Sequence, residues 1–179
     1  MTTADEDEFR SFVETRWHSL LRLAYLLTGD RGRAEDLVQS ALVRVHRHWR
    51  RVESADGHDA YARRTMINLN ISWWRRRRVE EHLVDQIPEP PVARGHADAH
   101  ADRDQLVRGL ATLPPRMRAV IVLRYYEELS EAECAAALGC SLGTVKSQTS
   151  RGLERLRAAL ADPPATAASA GPQRKDTLR

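Results

Sequence analysis

Lysine is almost missing from this chain: of 28 basic side chains only Lys146 and Lys175 are lysines, and the rest are arginine. A GC-rich coding sequence explains that bias without any function. Cysteine is equally scarce. Cys134 and Cys140 form no even set at disulfide-framework spacing, and no second pair closes a metal site, so both read as small packed residues. No run approaches the ~18 apolar residues that a membrane span needs. Asp5, Glu6, Asp7 and Glu8 stand where a signal peptide carries positive charge, which makes the protein read as cytoplasmic. Catalytic signatures are absent too: there is no GxxxxGK phosphate loop, no HExxH and no GxSxG. The carboxylate pairs Glu35–Asp36 and Glu127–Glu128 lie in charged helical contexts, and His46 and His48 sit among arginines, a poor setting for a cation. The expectation is a non-enzymatic protein with no cofactor, no metal, no small-molecule substrate and no membrane partner.

Charge is present in blocks. Across 179 residues the formal net charge is only +3. Residues 1–79 carry 15 arginines and 11 acids, residues 80–104 two arginines and seven acids, and residues 105–162 eight basic and six acidic side chains. Two basic blocks thus flank an acidic connector, as in a protein that touches a polyanion at two places.

Helical spacing recurs in every long segment and period-2 alternation does not. Phe9, Phe12, Val13, Leu20, Ala24 and Leu27 step by three or four, with Trp17 filling one gap, between a Thr3–Glu6 capping box and a stop at Gly29. Ala34, Leu37, Val38, Ala41, Leu42, Val45 and Trp49 share one face of a second helix. Arg51–Asp59 reads as a loop, and helix resumes over Tyr61–Arg78 with Met66, Leu69 and Trp73 in a stripe. Pro88, Pro90 and Pro91 interrupt the pattern, so Gln86–Asp104 reads as a linker. Helix returns at Leu106, Leu110 and Leu113, breaks at Pro114–Pro115 and continues through Met117, Val120, Ile121 and Arg124. Beyond Pro163 the composition predicts a disordered tail.

Residues 130–157 are more specific. Ser130-Glu131-Ala132-Glu133 is a capping box, Ala132, Ala135, Ala136 and Leu138 give a small-residue face, and Gly139 supplies a left-handed stop. Ser141 then caps a helix over Leu142–Leu160 with a buried stripe of Val145, Thr149, Leu153, Leu156 and Leu160. A short helix, a tight turn and a longer helix make a helix-turn-helix. Thr144, Lys146, Ser147, Gln148, Ser150, Arg151 and Arg155 fall on the outer face of the second helix. They are hydrogen-bonding and phosphate-binding types placed where a recognition helix meets a major groove.

The run Trp73-Trp74-Arg75-Arg76-Arg77-Arg78 combines stacking surfaces with phosphate-binding charge, the chemistry that holds unpaired bases. Trp73 fits the core stripe and Trp74 the exposed side. A solvated helix end is the plainer account of the arginines.

Ala34-Glu35-Asp36-Leu37-Val38-Gln39-Ser40-Ala41-Leu42-Val43-Arg44-Val45 resembles the region-two helix of the extracytoplasmic-function sigma factors of RNA polymerase. Leu113-Pro114-Pro115-Arg116-Met117-Arg118-Ala119-Val120 and Gly143-Thr144-Val145-Lys146-Ser147 resemble region four of the same family, and Trp73-Trp74-Arg75-Arg76-Arg77 is similar to its actinobacterial SigE-like branch. The resemblance implies an all-α fold of two small helical domains: a region-two bundle over residues 1–85 and a region-four helix-turn-helix over 105–162. A flexible acidic linker, 86–104, joins them, and a tail, 163–179, follows. It implies core RNA polymerase and promoter DNA as partners and admits an anti-sigma factor as a third. Asp36, Leu37, Gln39, Leu42, Val43 and Val45 would dock on the clamp helices of the polymerase large subunit. The Arg51–Asp59 loop with Arg63, Arg64, Asn68, Trp73, Trp74, Arg75 and Arg76 would open and hold the minus-ten element. Thr144, Lys146, Ser147, Ser150, Arg151 and Arg155 would read the minus-thirty-five element in duplex form. Gln148 and Thr149 depart from relatives that place an arginine there, so base preference does not transfer. Extended, the linker reaches about 60 Å, which at ~3.4 Å per base pair spans roughly 18 base pairs. Its acids, Asp98, Asp102 and Asp104 among them, suit a basic channel near the transcript path.

Two other readings compete. A stand-alone helix-turn-helix regulator would dimerise on a palindrome, yet no heptad seam is visible and the first half would have no purpose. A purely protein-binding module would tolerate loss of Lys146, Ser147 and Arg151.

Overall fold

The computed structural model describes residues 2–52, 55–83 and 101–161. The proline-rich connector and the C-terminal tail lie outside the described residues. Those described fold as seven α-helices and one 3-10 turn, with no strand among them.

Helix α1 spans Thr3–Thr28. Its capping box lies one residue earlier than the sequence pattern suggests. The Asp5 N–H donates to Thr2 Oγ1 at 3.3 Å and the Thr2 N–H to Asp5 Oδ2 at 2.7 Å, because an aspartate at the third helical position closes the same reciprocal pair as a glutamate. Gly29 ends the helix at φ 74°, where a side chain would be strained. Asp30 then caps α2, Arg31–His48, by accepting from the Arg33 N–H at 2.8 Å. The whole apolar stripe of α2 is buried, and Leu20, Leu23, Ala24 and Leu27 of α1 meet it.

The expected Arg51–Asp59 loop is mostly absent. A 3-10 turn covers Trp49–Arg51, and α3, Ala55–Leu83, starts four residues later. His58 explains the difference. Its ring stacks on the Trp49 indole with centroids 3.6 Å apart, and its Nε2 lies 3.0 Å from the Trp49 carbonyl oxygen. Asp59, a loop former by composition, stands in the early turns of α3, where the positive end of the helix dipole favours acids.

The second unit holds α4 (Ala101–Ala111), α5 (Pro115–Tyr125), α6 (Glu131–Leu138) and α7 (Leu142–Ala161). Helix α4 begins inside the stretch read as linker. Pro115 opens α5, a position where no amide donor is needed. Helix α7 packs on α5 through Gly152, where an added Cβ would lie 2.9 Å from Ile121 Cγ1 and 3.0 Å from Met117 Cγ. Ala132 and Ala136 of α6 face outward. Cys134 is the buried residue of that helix, and burial pushes its thiol up from the usual range, unlike a nucleophile.

The two units pack on each other, α1 and α3 against α5, and α3 against α6, with one continuous apolar core. Arg118 of α5 crosses the boundary. Its Nη1 donates to the Leu27 carbonyl at 2.8 Å, while Nη2 donates to the carbonyls of Ala111 and Leu113 at 2.7 and 3.2 Å. Burial lowers its pKa to about 10, so it keeps its charge at neutral pH. Asn70 of α3 donates to the same Leu27 carbonyl at 3.2 Å.

Candidate nucleic-acid interface

The helix-turn-helix is built by caps. Ser130 and Glu133 close a reciprocal box at the start of α6, where the Glu133 carboxylate accepts from the Ser130 hydroxyl at 2.6 Å and the Ser130 N–H at 2.8 Å. These bonds hold the Glu133 carboxyl below its ordinary pKa. Gly139, at φ 60°, ends α6. Three residues later α7 begins, its Thr144 N–H donating to Ser141 Oγ at 3.1 Å.

Only Val145, Gly152 and Leu156 of α7 are buried. Lys146, Ser147, Ser150, Arg151 and Arg155 are exposed. Thr144 is half-buried, its hydroxyl 2.9 Å from that of Ser141, so it shapes the turn as much as it faces outward. The Ser147 hydroxyl donates back to the Thr144 carbonyl at 3.0 Å, and Lys146 Nζ lies 3.7 Å from Glu131 Oε2. Gln148 lines a shallow depression with Arg116, Leu138, Cys140 and Thr144, its Oε1 buried without a hydrogen-bond partner.

On α3, Arg64, Asn68 and Arg75 are exposed and fall along one stripe, with Arg76 and Trp74 beside it. Trp74 is 42% exposed, whereas Trp73 is half-buried against the core, the division that helical spacing predicts. Arg63 stands apart: it is held by Asp59 and by Glu127 of the other unit.

Helix α2 corrects a group of assignments. Leu37, Leu42 and Val45 lie in the core of the first unit and offer no surface to a partner. Asp36, Gln39 and Val43 are exposed at steps of three and four, and Val43 is 52% exposed. The run quoted from the family interleaves packing and surface positions, and only the second set can touch another protein.

Two residues given no role from sequence prove structural. Arg118 stands three and four positions before the buried Ile121 and Val122, so it points inward. That spacing was the available signal. His58 gave none, because its partner Trp49 lies across a turn. Among the described residues no cluster of three or more His, Cys, Asp or Glu could hold a metal, and no helix is long and apolar enough to cross a membrane.

Comparison with known proteins adds to this geometry. Residues 12–80 match the family described as Sigma-70 region 2, and residues 103–156 match Sigma-70, region 4. The chain is 47% identical over 150 residues to an RNA polymerase sigma-E factor of Streptomyces coelicolor, covering 84% of each chain. It is 35% identical to the ECF RNA polymerase sigma factor SigE of Mycolicibacterium smegmatis, covering 89% of this chain and 65% of that one. Among solved structures it is similar to the sigma factor RpoE of Bartonella quintana, crystallised with the anti-sigma factor NepR. The TM-score is 0.74 at 26% identity, covering 88% of this chain and 98% of the other.

Proposed function

The chain belongs to the extracytoplasmic-function sigma factors of the sigma-70 family, and from that membership we propose which of its surfaces carry each task. As a member it binds core RNA polymerase and directs promoter-specific transcription initiation through the minus-ten and minus-thirty-five elements.

The outer face of α7 reads the minus-thirty-five duplex. Lys146 and Arg155 meet phosphates, and Ser147, Ser150 and Arg151 meet base edges, with Thr144 at the groove mouth. The observation that carries this is the joint exposure of Lys146, Ser147, Ser150, Arg151 and Arg155 on a helix capped at its start by Ser141, whose fully inward positions are Val145, Gly152 and Leu156. The α3 stripe takes the minus-ten strand. Arg63, Arg64, Arg75 and Arg76 hold phosphates, Asn68 bonds to a base edge, and Trp74 stacks on an unpaired base while Trp73 supports it from the core. Asp36, Gln39 and Val43 dock on the polymerase, with Leu37, Leu42 and Val45 fixing the helix that presents them. Residues 1–85 form the region-two unit, 105–162 the region-four unit, and 86–104 the link between them, with 163–179 as a tail.

The chain acts in the cytoplasm as a specificity subunit, with no catalysis of its own. An anti-sigma factor is a further partner, by analogy with the Bartonella protein.

Run-off transcription with core polymerase of the source organism on sheared genomic DNA tests this reading. The expected result is new start sites that share two upstream elements. Stable association with core but no new starts would overturn it.

A further inference from the structure

The two units are tied together by charge as well as by apolar packing, and one of those charges is a residue assigned above to DNA. Arg63 is only 19% exposed. Its Nη2 lies 2.8 Å from Asp59 Oδ2 on the same helix, and its Nε lies 2.7 Å from Glu127 Oε2, in the turn between α5 and α6 of the other unit. Asp59 also faces Arg16 of α1 at 3.6 Å. One carboxylate of each unit therefore shares a single guanidinium. Arginine's planar fork takes carboxylate and phosphate in the same geometry, so Glu127 fills the position in which a backbone phosphate would be bound. While it does so, α3 stays packed against α6, the first helix of the helix-turn-helix. With α3 packed on α5 and α6, the α3 stripe and the outer face of α7 keep one fixed spacing, whereas units free of that packing are limited only by the reach of the linker.

We propose that Glu127 is an internal mimic of a DNA phosphate, which occupies Arg63 in the free chain, closes the two units on each other and is displaced when a DNA strand enters. The proposal rests on the assignment of Arg63 to promoter contact. The pair is mostly buried, and the cost of desolvating both charges offsets much of their attraction, which suits a latch that a run of phosphates can open. The closed form lowers apparent DNA affinity by the fraction of molecules that are open. Glu127→Gln leaves Arg63 its second carboxylate, Asp59, so the substitution strands no charge inside the fold.

The test uses the full chain without polymerase and a labelled single-stranded oligodeoxynucleotide of random sequence, with binding read by fluorescence anisotropy and size by small-angle scattering. Glu127→Gln is expected to tighten binding by about threefold to tenfold and to enlarge the molecule. Glu128→Gln, an equal charge change at the exposed neighbour, is expected to do much less. In an Arg63→Gln background the gain from Glu127→Gln disappears. Unchanged binding by Glu127→Gln, an equal gain from Glu128→Gln, or a gain that survives without Arg63 would each overturn the latch. Run-off transcription by the unaltered chain separates the two levels. New start sites together with an inert Glu127→Gln remove the latch and leave the function standing. No start sites from the unaltered chain remove the reading beneath it.

Discussion

Arg118 and Leu27 are 91 positions apart in sequence, yet the guanidinium of one donates to the carbonyl of the other at 2.8 Å across the boundary between the units. Leu27 stands in the last turn of α1, where carbonyls have no partner within their own helix. Arg118 satisfies that oxygen and two more, at Ala111 and Leu113. Arg118→Ala leaves three acceptors without this donor. Urea unfolding should show a loss of about 2–4 kcal/mol. Arg118→Lys, one point charge in place of a fork, should lose less.

The tryptophan pair separates stability from binding. Trp73→Ala should cost about 2 kcal/mol of folding stability, since the ring packs on the core and leaves a partial cavity. Trp74→Ala should leave the melting transition nearly unmoved and weaken single-stranded minus-ten DNA binding by about 1–3 kcal/mol. Thermal scans and anisotropy on the same two proteins check the contrast.

On α7, Arg151→Ala and Lys146→Ala should fail in different ways. Loss of a base-reading arginine costs about 1–3 kcal/mol on the cognate minus-thirty-five duplex and relaxes preference at one base pair. Loss of a phosphate-binding lysine weakens all duplexes alike and reduces the salt slope by about one. Titrations at several salt concentrations, with polymerase present, distinguish the two.

The cap of α6 should respond to acid. The Ser130 hydroxyl and the Ser130 N–H both donate to the Glu133 carboxylate and hold its pKa below the unfolded value. A depressed carboxyl contributes its stabilisation above the unfolded pKa and loses it as pH falls through the folded one. Hydrogen-exchange protection at Glu133 and Cys134 should therefore weaken on acidification, and Glu133→Gln should flatten that dependence. Ser130→Ala should cost about 1 kcal/mol at neutral pH.

Much of the fold was legible because its signals are local. The stripe of α2 has helical period from Ala34 to Val45, and Ser130, Gly139 and Ser141 mark helix ends within a few residues of themselves. What escaped depends on contacts made at a distance. The start of α3 at Ala55 follows from the His58–Trp49 stack, which outweighs a loop-like composition. The outer face of α2 was blurred because the family pattern mixes inward and outward residues, and only burial tells Leu37 from Gln39. The Arg63–Glu127 bridge joins two residues of ordinary surface type, and nothing in either neighbourhood marks them as partners.

Helix α7 commits few of its twenty residues to the interior, and Val145, Gly152 and Leu156 are its fully buried positions. Its anchoring and its outward vocabulary are therefore written in different letters of the same helix. Lys146, Ser147, Ser150 and Arg151 could be randomised together with little effect on folding, while a methyl added at Gly152 would force Ile121 and Met117 of α5 to shift. On the assignment proposed above, a lineage that duplicates this chain could acquire a second promoter set by exchanging a handful of codons, and a laboratory library confined to those four sites would sample new specificities on an unchanged scaffold.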